Sequence, residues 1–374
     1  MSLAGHWGTL LGAALAAVWL VLALRVVRDR RRAPRLPPPL AELPATTVLL
    51  PVRDEETNLA ECAATLLAQQ GAPALRVIDD GSTDRTPEIL AGLAAHEPRL
   101  TALRARPLAT GWGGKVNALA TGLEGVATPW ILLTDADTRH RPELLARAHA
   151  AAAEHRLDAL SLSGRQTTVG LGEALLTPSA YELLDLLLGD WRPYARGEGP
   201  TPIANGQYFL LRTEALRAIG GFAAIAGDAL DDVALATQLH DAGFKIGFRR
   251  AGDALTVRMY EGARATLRGW RRNFALFVAA RPVSALAAIA LPLATVVTLT
   301  LAFALRAPAA FSVCWLGGVA ASATTRRSSG NNPLTAAFFP LDVLLLAATL
   351  ALAMVDRARG RAAPWRGRAI TIRK

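Results

Sequence analysis

The sequence predicts an α/β fold with a mainly parallel sheet, bracketed by N-terminal and C-terminal transmembrane helices. Three observations carry that expectation. Between residues 46 and 260, short β-branched and apolar runs alternate with segments of helical period. Uncharged apolar runs of bilayer-spanning length lie on both sides of that stretch. The basic excess gathers beside those runs and not on the middle of the chain.

Of the 374 residues, 52% are hydrophobic and 19% are charged. Soluble domains average about 25% charged, so the composition excludes a disordered chain and argues against a wholly soluble one. Two cysteines, Cys62 and Cys314, exclude a disulfide framework or a Cys-rich zinc site. The six histidines show no ligand spacing. The net charge is +10, but residues 46–260 hold 20 basic against 26 acidic side chains and the flanks hold 21 against 5. A nucleic-acid binder carries its basic excess on the folded domain. Here the expected partners of the excess are anionic lipid headgroups, and no nucleic acid is expected.

The elements follow in order. The run 7–24 is uncharged and reads as a membrane helix, with Arg28, Arg30, Arg31, Arg32 and Arg35 behind it. A cleaved signal peptide would carry its charge in front, so this order reads as a retained anchor whose C-terminal side faces the cytoplasm. Pro34, Pro37, Pro38 and Pro39 stiffen the following linker. Strands are expected at 47–51, 75–78, 100–103 and 130–133. Helices are expected over 56–67, from Thr86 with Pro87 at its first turn, after Lys115, and over 233–242. The leucine-rich segment 172–190 reads either as an amphipathic helix at the membrane surface or as core packing. Near the C-terminus, 282–305 is long enough to span and 334–355 is apolar apart from Asp342. The stretch 307–325 contains Gly317 and Gly318 and reads as re-entrant or interfacial, because the basic tail favours the inside. Asp342 reads as a polar site at membrane depth or as a group facing protein or water.

The expected organisation is therefore an anchor (7–27), a basic, proline-rich linker (28–45), an α/β domain (46–260), a basic interfacial segment (261–281), a membrane region (282–356) and a basic tail (357–374).

Ligands of open parallel sheets bind at the carboxyl ends of the strands. Three acidic clusters fall there or in nearby loops: Asp79 with Asp80, Asp135 with Asp137, and Asp231 with Asp232. Strand-end carboxylates suit a hard divalent cation such as Mg²⁺ or Mn²⁺ bridging a substrate diphosphate. Singly, each cluster also reads as an ordinary turn or a solvated loop.

These residues, taken in order, resemble the membrane-associated family 2 glycosyltransferases of GT-A fold. The resemblance runs from Thr47 to Asn273. Pro51-Val52-Arg53-Asp54-Glu55-Glu56 resembles the family's opening loop, with Asp54 where Asn is usual. Asp79-Asp80-Gly81-Ser82 resembles the nucleotide-binding turn, and Gly111-Trp112-Gly113-Gly114-Lys115 a phosphate-side loop. Asp135-Ala136-Asp137 matches the DxD metal motif, and Asn205-Gly206-Gln207 resembles the acceptor side. Asp231-Asp232 stands in place of a Glu-Asp pair. Gly269-Trp270-Arg271-Arg272-Asn273 resembles the family's late Trp-containing loop, and Pro364-Trp365-Arg366-Gly367-Arg368 resembles the tail of lipid-acting members.

The resemblance implies a UDP- or GDP-sugar donor, a membrane lipid acceptor of carotenoid, hopanoid, polyprenyl or glycerolipid type, and Mg²⁺ or Mn²⁺ at Asp137 and Asp135. It implies Asp232 as general base with Asp231 beside it. Donor contacts would come from Pro51, Arg53, Glu55, Asp79, Asp80, Lys115, Asp135, Trp270 and Arg272. Trp270 and its neighbouring arginines read equally well as an interfacial belt. A single base without a second nucleophile implies inversion. The expected location is the cell membrane, multi-pass, with the catalytic domain cytoplasmic. A polysaccharide synthase, a sugar-nucleotide-binding scaffold without turnover and a transporter are the alternatives.

Overall fold

The computed structural model describes residues 3–228, 230–280, 282–359, 363–365 and 368–370. In chain order the first elements are α1 (Leu3–Arg32), β1 (Thr46–Val52), α2 (Leu59–Leu67), β2 (Ala74–Asp79), α3 (Thr86–His96) and β3 (Leu100–Arg104). Next come α4 (Gly114–Leu123), β4 (Trp130–Thr134), β5 (Thr138–His140), α5 (Leu144–His155), β6 (Ala159–Gln166), α6 (Leu171–Leu188) and α7 (Trp191–Ala195). Then follow β7 (Tyr208–Arg212), α8 (Thr213–Ala218), α9 (Asp231–Asp241) and β8 (Ile246–Val257). The chain closes with α10 (Ala263–Ala280), α11 (Pro282–Ala304), α12 (Pro308–Ser328), α13 (Leu341–Ala358) and a two-stranded ribbon of β9 (Ala363–Trp365) and β10 (Arg368–Ile370). Half of the basic tail 357–374, including Arg361, Arg366, Arg373 and Lys374, lies outside the described residues.

The chain divides into two compact units. The first to consider is the sheet unit. Its eight strands run in the order β3-β2-β1-β4-β7-β6-β8-β5. The strands β3, β2, β1 and β4 are mutually parallel, which matches the four strands expected from the sequence. β1 and β4 are buried almost throughout, as strands covered on both faces must be. Beyond β4 the sheet turns antiparallel: β7 pairs with β4 and with β6, and β5 pairs with β8. One pairing matters for the site. Thr134, at the end of β4, lies opposite Tyr208, at the start of β7. The antiparallel step therefore brings the loop before β7 to the same sheet edge as the residues after β4.

Small residues allow the helices to close on the sheet. A Cβ on Gly122 of α4 would sit 2.6 Å from the Ile78 side chain, so a larger residue there would require Ile78 to shift. α2 begins at Leu59, three residues later than the hydrophobic spacing suggests, because 54–58 form a turn. Asp54 there adopts φ +51, which Asn and Asp tolerate better than other side-chain residues.

The helical unit contains α1, α6 and α10–α13. Two of its helices are long and apolar enough to cross a membrane, over Leu10–Arg32 and Val283–Ala304. Leu15, Leu299 and Cys314 join α1, α11 and α12 in one cluster. α12 is one continuous helix over Pro308–Ser328. Gly317 and Gly12 explain its placement: a Cβ on Gly317 would meet Ala16 Cβ at 2.4 Å, and one on Gly12 would meet the Ala310 carbonyl oxygen at 2.8 Å. Small residues of this kind let helix backbones approach closely in apolar surroundings. The run 334–355 holds most of a 3₁₀ turn over Pro333–Phe338 followed by α13.

Asp342 faces protein. It is 1% exposed and accepts hydrogen bonds from Arg326 Nη2 at 2.7 Å and Ser322 Oγ at 3.1 Å. The α6 segment is mainly core packing, with Leu175, Leu176, Leu183 and Asp185 buried and Asp185 paired to Arg30 at 2.6 Å.

Candidate active site

The β1 and β2 loops are fastened to each other through backbone amides. Asp54 accepts from Thr83 N–H at 2.7 Å while its own N–H donates to Ser82 Oγ at 2.9 Å. Glu55 N–H donates to Thr86 Oγ1, and Glu56 N–H to Asp84. The replacement of Asn by Asp at position 54 is thus accommodated by both backbone and acceptor requirements. Asp79 Oδ1 caps its own turn, accepting from Ser82 N–H at 3.0 Å and Ser82 Oγ at 2.5 Å. Asp80 is buried, with Arg53 Nη1 at 3.8 Å from its carboxylate.

Three sequence-distant segments meet at the carboxyl end of β4. Lys115, from the first turn of α4, places Nζ 2.8 Å from Asp135 Oδ1 and 3.2 Å from Asp231 Oδ2. Burial opposes the charge on Lys115, but Asp135 and Asp231 more than offset it and hold its pKa above the ordinary value. Asp231 and Asp232 form the first turn of α9, where a helix N-terminus favours carboxylates. Asp232 Oδ2 accepts the Gly206 N–H at 2.8 Å and Oδ1 accepts the Val233 N–H at 2.8 Å. Burial, then Asp231, push the Asp232 carboxyl up to about 6, against the pull of Lys115 and the two amides. A cavity here is lined by Pro51, Lys115, Gly206, Asp231 and Asp232 on one side and by Leu119, Phe209 and Phe222 on the other.

Asp137 has a buried oxygen, Oδ1, without a hydrogen-bond partner. Burial, then Asp135 and Glu55, push its carboxyl up to about 7. A cation would supply the missing partner and relieve that repulsion. Two carboxylates at a strand end fit a hard divalent ion. Among the described residues no group of three or more His, Cys, Asp or Glu side chains is arranged to hold a metal. Any further ligands to such an ion would come from water or from substrate oxygens.

Gly206 went unread as the residue that holds Asp232, because its role depends on the antiparallel β4–β7 step. A Cβ on Gly206 would lie 2.9 Å from Lys115 Nζ and 3.4 Å from Asp135 Oδ2. We expect Gly206→Ala to fold normally and to lower turnover roughly ten-fold or more, since small misplacements of reacting groups are costly. Initial rates compared with melting temperature check this; unaltered rates would show that the space is not used.

Trp270 and Arg272 belong to the helical unit. The Trp270 indole is 3% exposed, donates to Thr177 Oγ1 at 3.3 Å and packs edge-on against Tyr181. It is an internal aromatic and not an exposed belt residue. Arg271 pairs with Asp356 through Nη2 at 2.6 Å, whereas Arg264 and Arg268 are exposed.

The chain has the GT-A fold of glycosyltransferases, an open α/β sheet whose strand ends here carry carboxylates. Residues 47–220 match the profile of the family Glycosyl transferase family 2. A beta-monoglucosyldiacylglycerol synthase of Nostoc sp. is 30% identical over 241 residues, covering 63% of this chain and 49% of the relative. The succinoglycan biosynthesis protein ExoO of Rhizobium meliloti is 31% identical over 137 residues, 34% of this chain and 38% of the relative. The chain thus spans about half or less of the length of these curated relatives. Among solved structures, a mannosyltransferase of Pyrobaculum calidifontis, in complex with GDP-Man and Mn²⁺, superposes with a TM-score of 0.57 at 20% identity, covering 94% of this chain and 99% of that one. At that identity the likeness establishes the fold.

Proposed function

We propose that this protein is an inverting glycosyltransferase that moves a sugar from a UDP- or GDP-sugar to a membrane lipid. The observation that carries the proposal is the convergence of Lys115, Asp135, Asp231 and Asp232 around Gly206 at one sheet edge. In this reading the acceptor hydroxyl attacks the anomeric carbon and Asp232 takes its proton. The bond from that carbon to the diphosphate oxygen breaks, and the nucleoside diphosphate leaves. Lys115 offers a positive charge to the departing phosphates. A Mg²⁺ or Mn²⁺ ion held by Asp135 and Asp137 would neutralise charge on the same group. The turn built by Arg53, Asp79 and Asp80 would receive the base or ribose, and Pro51 and Glu55 would border the donor. The mannosyltransferase of similar fold, with GDP-Man and Mn²⁺ bound, supports the donor and metal assignments.

The glucosyldiacylglycerol synthases among the relatives favour a glycerolipid acceptor. ExoO supports a second reading, a step in polysaccharide assembly. Incubating membranes that carry the protein with a panel of radiolabelled UDP- and GDP-sugars separates the two. Label in the organic extract is expected; label confined to an insoluble polymer would favour the second reading, and no label in either would count against both.

The two apolar helices and the arginines at 28–32, 264 and 268 support a multi-pass protein of the cell membrane, held against anionic headgroups, with 46–260 in the cytoplasm. Both native cysteines are buried, so a single cysteine introduced at exposed Arg85 gives a clean test. It is expected to stay unlabelled by an impermeant maleimide in intact cells. Labelling there would reverse the orientation.

A further inference from the structure

Behind the Asp135–Asp137 turn lies a buried hydroxyl and imidazole network that the proposed chemistry leaves unused. Thr134 Oγ1 donates to the Gln207 carbonyl at 2.7 Å, and Thr138 Oγ1 donates to the Asp135 carbonyl at 2.7 Å. A threonine hydroxyl has one hydrogen, so both are committed. His140 Nε2, 2.8 Å from Thr138 Oγ1, must therefore be the donor in that contact. His140 Nδ1 is buried without a partner. Burial, then Arg139, push the imidazole pKa down to about 3, in keeping with a neutral ring carrying its hydrogen on Nε2. Thr134, Thr138 and His140 are all at most 5% exposed, so water does not compete for these bonds.

The far end of the network reaches Asp232. The 205–207 loop is closed on itself by Gln207 N–H donating to Asn205 Oδ1 at 3.0 Å. It is fixed to β6 by Asn205 N–H donating to Ser161 Oγ at 2.8 Å. Its middle residue, Gly206, holds Asp232. One hydroxyl thus ties the strand preceding the metal-binding turn to the loop that orients the base, and a second closes that turn from within.

We infer that Thr138 and Thr134 are positioning residues, Thr138 fixing the Asp135–Asp137 turn for a divalent cation and Thr134 coupling that turn to the Gly206–Asp232 contact. This inference rests on the reading of Asp135, Asp137 and Asp232 proposed above. Groups that orient metal ligands typically change affinity by ~10–100-fold when removed.

The test uses the full chain in detergent, with free Mn²⁺ followed by electron paramagnetic resonance and transfer of label to lipid measured in parallel. Thr138→Val should weaken Mn²⁺ binding by about ten-fold or more, and Thr138→Ser should restore it. Thr134→Val should lower transfer at saturating Mn²⁺ about ten-fold while Mn²⁺ affinity changes far less. A merely structural role would lower the melting temperature without this split. Wild-type Mn²⁺ affinity in a folded Thr138→Val, or unaltered transfer in Thr134→Val, overturns the inference. If Thr138→Val loses its cooperative melt, Thr138→Ala removes the same hydroxyl, and unaltered Mn²⁺ binding in that folded variant overturns the inference equally. Mn²⁺ binding that is the same in the unaltered chain and in Asp137→Ala overturns the metal reading itself, and the inference with it.

Discussion

Replacing Asp232 by Asn is expected to lower kcat by roughly 10²-fold or more, the usual scale of a lost general base. Donor affinity should change little, because proton acceptance is used only as the acceptor reacts. The geometry defines a small structural side effect. Both Asp232 oxygens accept backbone N–H groups, from Gly206 and Val233, whereas an Asn amide has one acceptor. One of those bonds is lost, at a net cost of about 1 kcal/mol, which leaves the fold in place. The pH profile supplies an independent check. With its pKa raised to about 6 by burial and Asp231, Asp232 is the active carboxylate above that pH and is protonated below it. kcat/KM, which reports the free enzyme, should therefore fall on the acid side near pH 6. The Asn variant should lose that limb, and any limb that survives in it belongs to Asp137. Titration calorimetry with the donor beside initial rates on lipid acceptor makes the measurement. Normal turnover in Asp232→Asn would move the base to Asp231 or Asp228. Collapse of donor binding would make Asp232 a donor contact.

Asp137→Ala should have the larger effect on activity and the smaller effect on stability. The Asp137 carboxyl is buried with one oxygen unpartnered, and its neighbours Asp135 and Glu55 repel its charge. Its removal takes away a group that folding disfavours, so the melting temperature of the metal-free protein should hold or rise. Turnover should fall by about 10³-fold, roughly 4 kcal/mol of transition-state stabilisation. Chelation should silence the unaltered chain and Mn²⁺ should revive it, while the variant should respond to neither. Full activity of Asp137→Ala after exhaustive chelation would remove the metal from the mechanism.

Much of the fold was legible because burial in a parallel sheet writes itself into short stretches of chain. The β1 and β4 runs are apolar on both faces and stand out beside turn residues. The helix over Thr86–His96 announces itself through Pro87 and Glu88. The later strands were not legible. β6 reads Ala-Leu-Ser-Leu-Ser-Gly-Arg-Gln, and its serines hide a strand whose hydroxyl at Ser161 serves a loop 44 residues away. Asp342 likewise gave no hint of its partner, since Arg326 lies in a different helix of the same unit. In the apolar run at 334–355, hydropathy alone does not mark the 3₁₀ turn over Pro333–Phe338 that precedes α13.

For the candidate site, residue type and position at or near strand ends singled out Asp135, Asp137, Asp231 and Asp232, and the family resemblance added Lys115. These are local properties, carried by the chemistry of each side chain and the period of the segment around it. Which oxygen faces which donor was decided only in three dimensions. Gly206 and Thr134 acquire their places because β7 returns antiparallel to β4 and sets Tyr208 opposite Thr134. That contact joins residues more than seventy positions apart, and its register depends on the packing of the whole sheet, which no short window of sequence contains.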